Sequence, residues 1–480
     1  MARINITDPT GTVVSPGMVL LEGILRDEGH DAQVVTGDLA CQGGLFRAAP
    51  DAWYLSTVSV RQFLALPAFF DRVGLEVLAA ARASTAPLVA LGGYPAANPL
   101  PILPLVDVVA LGDGEATAPA LAAALDRGGK AAALEAAEET QGLAATRAAF
   151  ALARAEGPFG ARLIPMARGR AAVEVARGCK RRCAYCAISW LVPYREADQE
   201  EVHQVLAASS CRQVNLLASS LSDVSWATAL PAMLAATGSR DVGEHVSIRS
   251  YLRGGGGAWR SSVATGIDGA SERIRRATGK PITDDEVVAA VELARDLGVT
   301  RLKLHQLLGM PGETAEDLDA WRGLWARIAR VAAESARLQV IMSTHFHLAT
   351  PHTPLEETAA VRQVPARRCA AACRTHAHAV NKATGRSAVL VLQAKGYGQW
   401  RLEQYLMRAD ETAAELILRR PGEKLIRSQR WEEMVPPTRP RAWGCVDAGV
   451  PARMREAALR RYWLEMGGHP PVLGHDAVSP

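Results

Sequence analysis

The residues best placed to do chemistry lie in Val173-Glu-Val-Ala-Arg-Gly-Cys179-Lys-Arg-Arg-Cys183-Ala-Tyr-Cys186, an apolar strand-like run that passes through a glycine into a loop with three thiols spaced CxxxCxxC. Three thiolates on one short loop reach three corners of an iron-sulfur cube, whereas zinc in a structural site normally takes four closed ligands. Cys179, Cys183 and Cys186 therefore read as ligands that leave the fourth iron open. An open iron can be chelated by the amino and carboxylate groups of S-adenosylmethionine, beside which one electron cleaves a carbon-sulfur bond. The adjoining Lys180, Arg181 and Arg182 are expected to lower the thiol pKa values and offset cluster charge. The competing reading of the loop is a zinc knuckle.

With its strand-then-loop context, the segment resembles the radical S-adenosylmethionine superfamily over about residues 165 to 350. The resemblance implies that Tyr185 lies against the cofactor, and that His305-Gln-Leu-Leu-Gly309-Met-Pro311-Gly312-Glu313-Thr314 cradles its adenine. Glycines there let backbone approach a flat ring. Gly266-Ile-Asp268-Gly-Ala-Ser271-Glu272-Arg273, followed by Thr278-Gly279-Lys280-Pro281, is similar to a segment of cobalamin-binding members and implies cofactor contacts at Asp268 and Glu272. Those relatives usually carry glutamate where Asp268 stands. Ser219 and Ser220 follow the second barrel strand, where the superfamily usually holds the methionine amino group.

Upstream, Leu88-Val-Ala-Leu-Gly92-Gly93-Tyr94-Pro95 and Val106–Thr117 resemble the cobalamin-binding domain fused in front of many of these enzymes. The resemblance implies a corrin and nucleotide-tail pocket at Thr57, Ser59, Arg61, Gly92, Gly93, Gly112 and Gly114. No Asp-x-His-x-x-Gly occurs, so the motif that supplies a lower histidine ligand to cobalt is missing. A nucleotide-type fold that binds no cofactor is the competing reading of this domain.

The elements that must position these groups follow from periodicity. Short apolar runs alternating with amphipathic stretches over the first 125 residues predict a Rossmann-like, doubly wound parallel sheet. Expected strands are Ala2–Ile6, Asp31–Val35, Ala52–Ser56, Leu88–Leu91 and Val106–Leu111, with helices at Ser15–Glu28 and Leu64–Ala81. Alanine-rich Ala116–Ala153 reads as connecting helices. Strands expected at Ala172–Ala176, Gln213–Ala218, His245–Ser250, Ser262–Gly266, Arg301–Leu308 and Leu338–Phe346 fit a partial (β/α)6 barrel. The fold class reads as α/β, and the resemblance assigns its parts: a Rossmann-like cobalamin-binding-type domain at 1–125, a helical connector at 126–165, a radical SAM partial barrel at 166–355, and an α-rich C-terminal region at 356–480 that covers the substrate.

His345 and His347 alternate onto one face of the last barrel strand and are candidates to touch substrate or to support structure. Cys369 and Cys373 share a helix face and read as a buried pair, and isolated Cys41 as packing. The Gly254–Gly257 run reads as a loop, and tail tryptophans such as Trp400 as a cover for the barrel mouth. No catalytic residue is assigned.

With 480 residues, 49% hydrophobic and 22% charged, no apolar run of membrane length and no secretory pattern, the chain reads as a cytoplasmic multidomain protein with reduced thiols. A net charge of +4 does not call for nucleic acid. The resemblance implies a cobalamin-dependent methyltransferase that acts on a carbon of a small molecule or peptide through a 5'-deoxyadenosyl radical. It implies an external flavodoxin- or ferredoxin-type electron donor. Cyclisation, rearrangement or transfer of another S-adenosylmethionine-derived group, with or without cobalamin, stands as the alternative, and a non-catalytic iron-sulfur module as one of another class.

Overall fold

The computed structural model describes residues 1–36, 50–145, 152–241, 246–253, 261–358, 363–393, 396–428, 430–434, 442–447, 449 and 451–468. The Gly254–Gly257 run and Cys41 lie outside the described residues. The chain divides into two compact units, residues 1–159 with 401–450 and residues 160–400 with 451–479.

In the first unit five short strands pair in parallel in the order Asp31–Val34, Arg3–Thr7, Ala52–Thr57, Leu88–Gly93, Val108–Ala110. Strands buried on both faces read as unbroken apolar runs, as Leu88–Leu91 does. Leu143–Ala145 adds an antiparallel edge. Helix Pro16–Asp27 starts where Ser15 Oγ accepts the Met18 amide, and it lays Met18 and Leu25 on the sheet.

The alanine-rich stretch is a helix over Gly114–Glu139, broken at Gly128 and Gly129, whose Ala118, Leu121, Ala122 and Leu125 cover the same sheet. The helix expected over Leu64–Ala81 is shorter, Leu66–Val73, because Gly74 takes a left-handed φ of 68° and stops it. The strand order reverses direction between Arg3–Thr7 and Ala52–Thr57, which makes the crevice beyond their carboxyl ends the switch point where such sheets bind ligands.

In the second unit Arg170–Glu174 pairs in parallel with Gln213–Leu217, and Gln213–Leu217 with Arg240–Asp241. Ser262–Gly266, Arg301–Leu308, Gln339–Phe346 and Val389–Gln393 form a second parallel set. Along Arg301–Leu308 burial alternates: Leu302, Leu304, Gln306 and Leu308 are buried, and Lys303, His305 and Leu307 point to the other face. Helix Ala315–Glu334 buries Trp321 and Trp325 completely, each contributing about 2–3 kcal/mol of apolar burial.

Of the strand expected at His245–Ser250, His245 lies outside the described residues and no strand forms over residues 246–250. Ser247 Oγ accepts the Ser250 amide and caps a helix over Ile248–Leu252, and local capping overrides the Val246/Ile248 alternation.

Together these are the parallel α/β sheets and the helical C-terminal segments of the expected fold class. Among the described residues no helix is long and apolar enough to cross a membrane.

Candidate functional site

The thiol loop begins at Gly178, whose φ of 77° lets the chain pass Pro193; a methyl group there would lie 2.5 Å from the Pro193 carbonyl oxygen. Ion pairs pin the loop on both flanks. Arg181 donates twice to the Asp223 carboxylate (2.6 and 2.7 Å), and Lys180 lies 2.6 Å from Glu196. Beneath it, Trp190 Nε1 donates to the Cys183 carbonyl (2.9 Å), and the Ala184 amide donates to Thr278 O (2.9 Å).

Cys183 is buried, with Cys179 and Cys186 half-buried. Burial pushes the Cys183 thiol up to about 12, against the pull of the Lys280 ammonium, and burial also raises Cys186. The loop cations do not lower these thiols as expected, because Lys180 and Arg181 are bound to Glu196 and Asp223 and desolvation wins.

Among the described residues, no three His, Cys, Asp or Glu side chains converge tightly enough to hold a single metal ion. An iron-sulfur cube accepts thiolates at separate corners and requires no such convergence. The donor set thus suits a cluster, with iron replacing protons that burial otherwise retains.

Beside the loop, the Tyr185 hydroxyl donates to Asp268 Oδ2 at 2.9 Å, and Lys280 Nζ stands 2.6 Å from the same oxygen. Asp268 sits at φ 41°, a left-handed conformation unusual outside glycine. Gly266 leaves the space for this pair: a methyl there would lie 2.6 Å from Asp268 Oδ2 and 2.8 Å from Lys280 Nζ. Tyr185 and Asp268 line a cavity of about 270 Å³ with Leu307, His345, Phe346, His347, Leu348, Thr350 and Trp400. Ser343 Oγ lies 3.2 Å from His345 Nε2, and the His305 and His345 rings are tilted with centroids 5.8 Å apart. Trp400 packs on Phe346 at 5.7 Å and donates to the His347 carbonyl (2.9 Å).

Of the remaining expected contacts, Ser219 is exposed, and Ser220 lies 3.2 Å from Ser222 Oγ. The Glu272 carboxylate accepts the Asp284 amide (2.7 Å). The Gly309–Gly312 loop is held from behind. Glu313 Oε1 accepts the Gly309 amide (3.0 Å), and Tyr462 donates to the Pro311 carbonyl (2.7 Å). A methyl at Gly312 would lie 3.2 Å from Met466 and 3.3 Å from Trp463. Glu313 Oε2 is buried without a hydrogen-bond partner, and burial pushes this carboxyl up to about 7.

Lys280 has no role assigned from sequence; its signal is the Thr-Gly-Lys-Pro turn that follows the Asp268 segment. Tyr462 and Met466 carry no motif, and only tertiary packing brings them to the loop.

In the first unit, Thr57 is buried with Oγ1 donating to the Gly92 carbonyl (2.9 Å), and Ser59 caps the turn that carries exposed Arg61. A methyl would lie 3.3 Å from the Ala110 carbonyl at Gly92, 2.0 Å from the Thr57 carbonyl at Gly93, and 2.2 Å from the Ala155 carbonyl at Gly112. At Gly114 it would meet Leu21 at 3.1 Å. These glycines thus face their own chain. Around the switch point the exposed side chains include the apolar Val13, Val14 and Val58 beside Thr10, Thr12 and Arg61, with Tyr94 one strand further.

Two family models match this chain: the N-terminal domain of radical SAM proteins over residues 51–150, and the radical SAM superfamily over residues 250–322. Both matched segments are thus similar to parts of radical SAM proteins, one in each compact unit. An uncharacterized protein of Methanocaldococcus jannaschii is 27% identical over 196 residues, 38% of this chain and 42% of that relative's length.

Among solved structures, the radical S-adenosylmethionine methyltransferase TsrM of Kitasatospora setae, with cobalamin and a [4Fe-4S] cluster bound, is similar at a TM-score of 0.43 and 14% identity. That alignment covers 72% of this chain and 75% of TsrM. The cobalamin-dependent S-adenosylmethionine radical enzyme OxsB, with aqua-cobalamin and S-adenosylmethionine bound, is similar at 0.49 and 12%, covering 71% of this chain and 53% of OxsB.

Proposed function

We propose that this chain is a radical SAM enzyme, and within that class a cobalamin-dependent methyltransferase that methylates a carbon of a small molecule or peptide. The observation that carries the reading is the junction of the pinned thiol loop with the cavity: Tyr185, one residue from Cys186, forms the cavity wall with Asp268. Cys179, Cys183 and Cys186 would hold a 4Fe-4S cluster, which supplies the electron that splits S-adenosylmethionine. Tyr185 and Asp268 would orient that cofactor. Ser219, Ser220, Glu272, Gly309, Pro311 and Gly312 complete its proposed contacts. Phe346, His345 and Trp400 would present the substrate and exclude water from the radical.

The exposed apolar rim of Val13, Val14 and Val58 at the switch point, with Tyr94 beyond it, suits the flat face of a corrin. Thr57, Ser59 and Arg61 would bound this pocket, and Gly92, Gly93, Gly112 and Gly114 would shape it by close backbone packing. Cobalamin supplies the methyl-carrying chemistry when bound.

Anaerobically reconstituted protein tests the reading. A cobalamin absorption spectrum together with 5'-deoxyadenosine and a methylated product is the expected result. Full activity without cobalamin would favour radical cyclisation, rearrangement or another group transfer.

A further inference from the structure

Radical cleavage of S-adenosylmethionine, as proposed above, consumes an electron that the chain must receive from outside. Helix Ala452–Glu465 buries Ala458 and Tyr462 against the barrel. Its opposite stripe, Arg453, Ala457, Arg460 and Leu464 at spacings of four, three and four, is exposed, with Leu464 73% exposed. Arg461 borders it. Among the described residues, Arg453, Arg460 and Arg461 have no carboxylate partner, whereas Arg455 pairs with Glu356 and Arg276 with Glu465. Three exposed arginines without carboxylate partners outnumber the exposed Glu456 on this helix, so the face around Leu464 carries a net positive charge that complements an acidic partner.

This face lies next to the thiol loop. The Arg461 guanidinium reaches the Gly279 turn, where a methyl would lie 3.0 Å from its Nη2 and 3.8 Å from the Arg182 carbonyl oxygen. The carbonyl of the preceding Thr278 accepts the amide of Ala184, between Cys183 and Cys186. Arg182 itself is exposed, over the Trp190 ring at 5.5 Å. Two short contacts thus join the exposed helix to the segment that would carry the cluster.

The geometry points to this face as the docking site for an acidic one-electron carrier protein, an inference that rests on the proposed cluster. One electron passes from the reduced carrier to the oxidised cluster, leaving the carrier oxidised by one electron and the cluster reduced by one. Electrostatic steering suits such brief encounters, because it raises the on-rate without a large buried area.

The test uses cluster-loaded full chain and reduced flavodoxin, an acidic flavin protein, with bleaching of the cluster absorbance as the readout. Charge reversal in Arg460→Glu/Arg461→Glu is expected to slow reduction by flavodoxin about tenfold and to flatten its salt dependence. Reduction by dithionite should be unchanged, which shows an intact fold, and Arg460→Lys/Arg461→Lys should keep most of the flavodoxin rate. An undiminished flavodoxin rate, equal losses with both reductants, or a wild-type cluster that flavodoxin cannot reduce would each overturn the docking site. Protein that assembles no cluster would instead overturn the reading on which it rests.

Discussion

The Lys280 ammonium stands 2.6 Å from Asp268 Oδ2, on the same oxygen that receives the Tyr185 hydroxyl. Both charged side chains are about one-seventh exposed, so each depends on the other for its solvation. Lys280→Met leaves the carboxylate with Tyr185 alone. Urea unfolding should show a loss of roughly 2–3 kcal/mol, and the KM for S-adenosylmethionine should rise. Adding Asp268→Asn should restore much of the stability, with a coupling of about 1–2 kcal/mol in the double-mutant cycle. Additive losses would show that the pair is not a unit.

Gly93 and Gly29 both have left-handed φ angles, 109° and 89°, but a methyl at Gly93 would lie 2.0 Å from the Thr57 carbonyl, whereas none of the chain lies within 4 Å of one at Gly29. Gly29→Ala should cost about 1 kcal/mol from backbone strain alone. Gly93→Ala should cost roughly 3 kcal/mol or more, because two neighbouring strands must separate. Denaturant midpoints at constant m distinguish them.

Glu313 has one oxygen on the Gly309 amide and the other buried without a partner, and its carboxyl is raised to about 7 by burial. Between an unfolded value of about 4.3 and the folded value, the native state binds more protons, so this group's contribution is complete below that window. It falls as pH rises and is lost above pH 7. Glu313→Gln, which mimics the protonated acid, should remove this slope, worth at most roughly 4 kcal/mol, and raise relative stability at pH 8. A pH series of thermal melts checks it; parallel curves for the two proteins would contradict the assignment.

Much of the frame was legible because its signals are local. The burial alternation of Arg301–Leu308 and the apolar runs at Ala52–Ser56 and Leu88–Leu91 sit within a few residues, and the structure has strands there. The His245–Ser250 and Leu64–Ala81 segments were misread because a single residue, Ser247 as a cap and Gly74 as a stop, outweighed a longer pattern. Part of the site was not legible, because it depends on partners distant in sequence. Asp223 binds Arg181 across 42 residues, and Tyr462 reaches Pro311 across 151. Nor does spacing reveal that burial outweighs the cations next to Cys183.

The most direct measurement takes protein reconstituted anaerobically with iron and sulfide and records iron content and 5'-deoxyadenosine formation under dithionite, for the native chain and for Cys179→Ala, Cys183→Ala and Cys186→Ala. The account predicts a four-iron cluster and reductive cleavage in the native chain, with both lost in every variant. Zinc in place of iron, or a cluster and turnover that survive removal of these thiols, would contradict it.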